Sequence, residues 1–257
     1  MTALFDDGAD YAAHRPSYPP ALAQALAALP GDGTDLALDV GCGTGQLTAL
    51  LAQHVGHRVI GVDPSPSQIA AATPVPKARY RVGSADRLPA VDGIVDLITV
   101  AQAAHWIDDL PAFYAEARRV AAPGAAIALV SYGLCTLDDD LDALFQDFYW
   151  GDFHRFWDPR RRHVENGLAD LDFPFAPLPV EPTAIVREYD LADFLGYLGT
   201  WTAVRNARDS GHAHEFAEFS EALSQRWGDP ARRRTVTWPI TVRAGQLRAG
   251  GRARPSS

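Results

Sequence analysis

Glycines stand at alternate positions 41, 43 and 45, directly after the apolar, acid-containing run Leu36-Ala-Leu-Asp-Val40 and before Gln46-Leu-Thr-Ala-Leu-Leu-Ala52. This pattern predicts a strand, a loop without side chains and a helix. Glycine lets the backbone turn sharply and lets a ligand approach it with no Cβ in the way. The unpaired N–H groups at the start of the following helix attract an anionic group. Loops of this kind bind nucleotide-like cofactors at the carboxyl end of a parallel strand. The spacing narrows the choice. A dinucleotide fingerprint Gly-x-Gly-x-x-Gly counted from Gly41 would need glycine where Gln46 stands. A phosphate loop would need Gly-Lys-Ser/Thr, and the only lysine is Lys77.

Arg58-Val-Ile-Gly-Val-Asp63 is a second apolar strand that ends in an acid. In a βαβ unit a carboxylate at this place accepts hydrogen bonds from the ribose hydroxyls. Ser65, in Asp63-Pro-Ser-Pro-Ser67, is equally placed to cap the next helix. Ala78-Arg-Tyr-Arg-Val82 reads as a third strand, followed by Gly83-Ser-Ala-Asp86. Asp86 is either a ligand group or a turn cap before Arg87-Leu-Pro89.

Strands are expected at 36–40, 59–62, 79–82, 94–100 and 126–130, with helices near 21–29, 45–55, 66–72 and 109–121. Pro123-Gly124 is read as ending a helix and turning into the fifth strand. Such alternation demands a mainly parallel sheet with helices on both faces. It stops after the fifth strand. Leu137–Phe145 is an amphipathic pattern, Tyr149–Trp157 is dense in aromatics, 191–200 and 212–227 are helical, and 183–189 and 234–242 alternate as strands. The fold expected is α/β: a Rossmann-like, doubly wound, mainly parallel seven-stranded sheet with a helical lobe inserted after strand five. The core is assigned to 1–135 with 181–190 and 232–245, the lobe to 136–180 and 191–231, and a flexible tail to 246–257. Residues 1–30 are read as an N-terminal lid.

Asp39-x-Gly-Cys-Gly-Thr-Gly45 closely resembles motif I of class I, type 11-like, S-adenosylmethionine-dependent methyltransferases. Ala101-Gln-Ala-Ala-His-Trp106 resembles the AQAxHWF segment of a subgroup that includes trans-aconitate methyltransferase-like proteins, and Tyr11…Arg15-Pro-Ser-Tyr-Pro19 and Tyr197–Ala203 resemble it too. Ala125 stands where that family usually has glycine, and Ile107 where it has phenylalanine. The resemblance implies S-adenosylmethionine as cofactor and S-adenosylhomocysteine as product. It implies cofactor contacts from Tyr11, Asp39, Gly41, Cys42, Gly43, Thr44, Gly45, Asp63, Pro64, Ala85, Asp86 and Gln102, with Asp86 near the adenine amino group. His105 is the candidate catalytic group, able to orient an acceptor or take a hydroxyl proton. Trp106, Tyr132, Trp157 and Trp201 are the candidate acceptor contacts.

The activity expected is methyl transfer to a small molecule, at a carboxylate or hydroxyl oxygen; a carboxylate needs no base. The alternatives are a non-catalytic cofactor-binding regulator and an NAD-dependent oxidoreductase, the latter disfavoured by Gln46. No metal is expected: His212 and His214, two apart on a helical pattern, should diverge. The net charge of −9 over 257 residues argues against a general nucleic-acid surface. Two cysteines and the start Met1-Thr-Ala-Leu-Phe5, which has no leader-like pattern, point to a cytoplasmic address. No run approaches the ~20 apolar residues of a membrane span. A monomer or homodimer is expected.

Overall fold

The computed structural model describes residues 16–137 and 139–247. Their contacts divide them into two compact units. A sheet unit comprises Tyr18–Tyr132, His163–Thr183 and the chain from Ile240 on; a helical unit comprises Gly133–Arg162 and Ala184–Pro239, together with the segment ending at Ser17.

In the sheet unit, the helix α1 (Pro20–Ala27) precedes β1 (Leu36–Val40), α2 (Gln46–Leu51), β2 (Arg58–Asp63), α3 (Pro66–Ala70) and β3 (Ala78–Val82). Then come β4 (Val95–Ala101), a 3-10 turn at Ala104–Trp106, α4 (Leu110–Val120) and β5 (Ala121–Tyr132). The strand order is β3-β2-β1-β4-β5-β8-β6, where β6 is Ala176–Leu178 and β8 is Arg234–Gln246. The first five strands pair in parallel, while β5–β8 and β6–β8 are antiparallel. The chain winds from β1 outward to β3, then returns to lay β4 and β5 on the other side. The direction of winding reverses there, so the switch point of the sheet falls between β1 and β4.

Composition explains the layout. β4 is buried along Val95–Val100, as a parallel strand covered on both faces must be. β3, at the edge, carries exposed Arg79 and Arg81, which deter edge-to-edge pairing. Leu38, Val40, Ile98, Val100, Ile127 and Leu129 pack with Phe113, Tyr114 and Val120 of α4. The Asp109 carboxylate caps α4 by accepting from the Ala112 N–H at 2.8 Å. Asp96, buried at the start of β4, accepts from the Asp35 and Leu36 N–H groups, both at 3.0 Å, and so fixes where β1 begins.

Three expectations are corrected. The strands number eight among the described residues, because Ala176–Leu178 pairs with β8. Its three residues and central Pro177 gave no strand pattern, and proline is tolerated there because the strand is at an edge. Pro123 and Gly124 lie inside β5, where the register with β4 shifts and Gly124 has φ +81, rather than at a helix end. Residues 163–180, read as lobe, belong with the sheet unit, and 184–190 and 232–239, read as core, belong with the helical unit: Leu168 and Phe175 join the core of the sheet unit, and Arg243 donates to the Leu171 carbonyl at 2.8 Å.

The helical unit contains α5 (Asp139–Trp150), a 3-10 turn at Asp152–Phe156, α7 (Leu191–Gly199), α8 (Thr202–Asp209) and α9 (Ala213–Trp227). The short α6 (Arg161–Glu165) starts at its boundary, and β7 (Thr183–Tyr189) pairs with β8. Its core is aromatic. Trp201 lies 5.9 Å from Phe145, 5.6 Å from Tyr149 and 5.8 Å from Tyr197, ring centre to ring centre. The Trp238 indole donates to the Tyr197 hydroxyl at 2.9 Å, so the polar ends of two buried rings satisfy each other. α7 begins with a reciprocal capping box between Asp190 and Asp193. Trp201→Ala would remove the centre of this cluster. We expect a loss of roughly 3–5 kcal/mol in a denaturant unfolding curve, the range for deleting a large core aromatic.

Candidate functional site

The glycine loop is built from β1, β2 and the turns around them. Asp39, 1% exposed, points beneath the loop and accepts from the Thr48 hydroxyl at 2.6 Å and the Thr99 hydroxyl at 2.9 Å. Each of its oxygens holds one hydroxyl, from α2 and from β4, and its burial, not a lack of lone pairs, sets it apart from the direct cofactor contact expected of it. Burial raises its pKa from the usual 3.8 to about 6, although the Thr48 and Thr99 hydrogen bonds pull it down. The Gly41 and Cys42 N–H groups both donate to the Val62 carbonyl, at 2.7 and 3.1 Å, and the Gly45 N–H donates to the Cys42 carbonyl at 2.9 Å.

Two of the glycines are demanded by the protein's own packing. At Gly41, φ is +70, and a Cβ would stand 2.4 Å from Ala103 Cβ. At Gly45, φ is +86, and a Cβ would stand 2.4 Å from the Tyr80 ring. Position 43 is roomier, its nearest neighbour being Gln68 Oε1 at 3.6 Å from a built Cβ. Burial, reinforced by the Asp39 and Asp63 carboxylates, pushes the Cys42 thiol up, so it is protonated and not a nucleophile.

Asp63, at the end of β2, accepts from the Gly43 N–H through Oδ2 and the Ser65 N–H through Oδ1, both at 2.9 Å. Each oxygen keeps a second lone pair, which is what a vicinal diol requires. Ser65 is also the cap of α3. Asp86 is exposed and accepts from the Ser84 hydroxyl, and Ala85 beside it is half-buried. Thr44 is half-buried and Pro64 exposed at the loop margins. Acids and backbone amides around an open glycine position fit an adenosyl cofactor with a cationic centre.

The 3-10 turn after β4 presents half-buried His105, whose ring lies 5.1 Å from that of Trp106. Tyr132 ends β5 and lies 6.0 Å from Tyr18. Gln102 was expected at the cofactor. Its amide is instead spent on Tyr132: Nε2 donates to the Tyr132 carbonyl at 3.1 Å, and Oε1 accepts from the Tyr132 N–H at 3.3 Å. Trp157 and Trp201 belong to the helical unit. Trp201, 2% exposed, is a core residue there, which corrects its assignment to the acceptor; Trp157 is half-buried, 5.1 Å from it, with the Arg161 guanidinium 4.6 Å over its ring. Tyr11 lies outside the described residues.

His212 and His214 do not diverge. His212 caps α9 with non-helical backbone (φ −107, ψ 25), so the two rings sit 6.0 Å apart, and Glu215 joins them within 4.8 Å. The Arg155 guanidinium already holds Glu215, at 2.5 Å, and keeps its pKa low. A cation here would have to compete with that guanidinium. No described helix is long and apolar enough to cross a membrane.

Residues that sequence reasoning missed are Thr48, Thr99, Tyr80, Ala103 and Gln68. One signal was present: a threonine inside the apolar run Leu97-Ile-Thr-Val100 needs a buried partner.

Residues 38–129 match the model of the methyltransferase domain. The chain is 31% identical over 218 residues to a candidate methyltransferase of Dictyostelium discoideum, covering 83% of this chain and 81% of that one. It is 38% identical over 121 residues to an uncharacterized methyltransferase of Mycobacterium tuberculosis, about half of each protein (47% and 48%). A solved structure, of a candidate type II methyltransferase from Anaeromyxobacter dehalogenans, superposes with a TM-score of 0.83 at 44% identity, covering 91% and 99% of the two chains. The chain belongs to the class I S-adenosylmethionine-dependent methyltransferases. When bound, the cofactor supplies an electrophilic methyl group.

Two expected outcomes follow from this geometry. Asp63→Ala removes both the expected diol acceptor and the anchor of the Gly43 amide. S-adenosylhomocysteine affinity should fall by roughly 1.5–3 kcal/mol in calorimetry. Asp39 has a folded pKa above its unfolded value, so the folded state holds the extra proton, and stability falls as pH rises from about 4 to 6. Asp39→Asn cannot titrate. From pH 4 to pH 7 its stability should improve relative to the parent by roughly 2–3 kcal/mol in urea melts at each pH.

Proposed function

We propose that the protein methylates an oxygen of a small molecule, a hydroxyl or a carboxylate, with His105 as the working polar group on the acceptor side. The observation that carries this reading is the contact of Ala103 with Gly41. It holds the His105 turn directly against the cofactor loop. An imidazole beside the methyl donor can accept the proton of a hydroxyl as its oxygen attacks the methyl carbon. The carbon–sulfur bond breaks as the carbon–oxygen bond forms, and the electron pair stays on sulfur. A carboxylate would need only to be placed.

Further support comes from the protonated state of the Cys42 thiol and the burial of Cys135, which leave no thiolate among the described cysteines. Asp63 is the proposed ribose ligand, Asp86 with Ala85 the proposed adenine neighbours, and Trp106 and Tyr132 the proposed acceptor contacts. The segment Gln102–Trp106 also carries the resemblance to trans-aconitate methyltransferase-like proteins, and a small acidic acceptor is within this reading.

Incubation with S-adenosylmethionine and pooled small acids, phenols and amines, read by mass shift, tests the proposal. Methylation of an acid or a hydroxyl is the expected result; methylation of amines alone overturns it. With a hydroxyl acceptor, His105→Ala should lower kcat by about 100-fold or more at saturating substrate, with S-adenosylhomocysteine affinity intact. With a carboxylate acceptor, kcat should change little.

A further inference from the structure

We infer that Gln102 is a positioning residue: its side-chain amide stands in for the missing continuation of β4 and fixes where the Ala103–Trp106 turn leaves the sheet. The ladder between β4 and β5 has its last pair at Ala101 and Val130. The Gln102 N–H still donates to the Val130 carbonyl at 2.8 Å. There the main chain departs, with Gln102 at φ +52, a left-handed conformation that non-glycine residues seldom adopt. Such strain persists only where the surroundings enforce it. The enforcing contact is the Gln102 amide, which meets both main-chain groups of Tyr132, at 3.1 and 3.3 Å. These are groups that a longer β4 would have paired. The side chain thus satisfies the edge of β5 while the main chain is released to turn.

The turn is then gripped from two sides. β4 lies between β1 and β5 in the sheet. On the β5 side Gln102 is clamped to Tyr132. On the β1 side Ala103 fills the space that a side chain on Gly41 would need. Within the turn, the Trp106 N–H donates to the Ala103 carbonyl at 2.9 Å, and Ala104 is buried. A neutral amide suits this place because it must donate to one main-chain group and accept from the other. Glutamate, equal in size, can only accept when ionised. The consequence is that Gln102 sets the position of His105 without touching the cofactor. The inference rests on the reading of His105 only for what the turn carries; its test needs no acceptor.

Gln102→Ala and Gln102→Glu, at pH 8, provide that test. Hydrogen exchange of the 103–107 amides and the rate of His105 modification by diethyl pyrocarbonate report the turn. Calorimetry with S-adenosylhomocysteine reports the cofactor site, and the melting temperature reports the fold. Positioning predicts exchange about tenfold faster at 103–107 and His105 modified several-fold faster than in the parent, the other histidines unchanged. Affinity should stay within about threefold, because the loop keeps its bonds to Val62 and Asp63. A more than tenfold loss of affinity with the turn's exchange unchanged would make Gln102 a cofactor contact and overturn the inference. So would an unaltered turn in Gln102→Glu, the variant that keeps the size of the side chain and serves if the alanine variant does not fold. With a hydroxyl acceptor, failure of His105→Ala to affect turnover would remove the catalytic reading and leave these readouts standing.

Discussion

A single buried carboxylate organises this molecule. Asp39 lies at the carboxyl end of β1 and is tied through Thr48 to α2 and through Thr99 to β4. Those are the three elements that meet at the switch point of the sheet. Hydroxyl donors offset part of the desolvation of the charge, but only part, as its raised pKa records. The arrangement therefore costs stability at neutral pH. What it secures is register: β1 cannot slide against β4, nor α2 tilt from the loop, without leaving a buried charge unpaired. A cofactor loop that must hold a reactive methyl group in line with an acceptor needs that rigidity more than a few kcal/mol of stability.

The loop above this carboxylate is closely packed at two of its three glycines. Tyr80 from the edge strand β3 closes on Gly45, and Ala103 from the turn after β4 closes on Gly41. Asp63 from β2 draws in the amide of Gly43. The strands β3 and β2 and the turn after β4 thus each deliver a side chain to the five-residue loop that leaves β1. The glycines serve two purposes at once. They adopt positive φ, and they leave room for neighbouring side chains of the protein itself. Glycine spacing in a sequence is read as room for a ligand, and at positions 41 and 45 that reading is incomplete.

This explains how much was legible beforehand. The acid-ended strands around Asp39 and Asp63 and the glycine loop were plain, because each is a local pattern with a period or a fixed offset. The parallel half of the sheet, β1 to β5, follows from βα alternation alone. Ala176–Leu178 was hidden because three residues with a central proline carry no strand period, and only pairing with β8 makes them one. The orientation of Asp39 was hidden for a different reason. Whether a carboxylate faces a ligand or its own fold depends on Thr48 and Thr99, nine and sixty residues away, and their pairing with it is tertiary. The clamp made by Gln102 is hidden in the same way, since its partner Tyr132 lies thirty residues on. Trp201 shows the limit of composition: a large aromatic reads equally as ligand wall or core, and burial decides.

The charge pattern of the site adds a requirement on its chemistry. Asp39 lies beneath the loop and Asp63 holds its Gly43 amide, while the only lysine, Lys77, is held at the Val55 carbonyl at 2.9 Å. A sulfonium centre is favoured in such a field, and the thioether left after transfer has lost the charge that was attracted. On the proposed reading, the same carboxylates would favour both binding of the donor and release of the spent product. The field acts on the acceptor with the opposite sign. On the same reading, a neutral hydroxyl would enter it without a charge penalty and give up its proton only as the oxygen bonds to carbon. A carboxylate must bring its charge toward these acids and needs a cation of its own to do so. Under the proposed function, this field thus weighs differently on the two acceptor classes, a hydroxyl and a carboxylate.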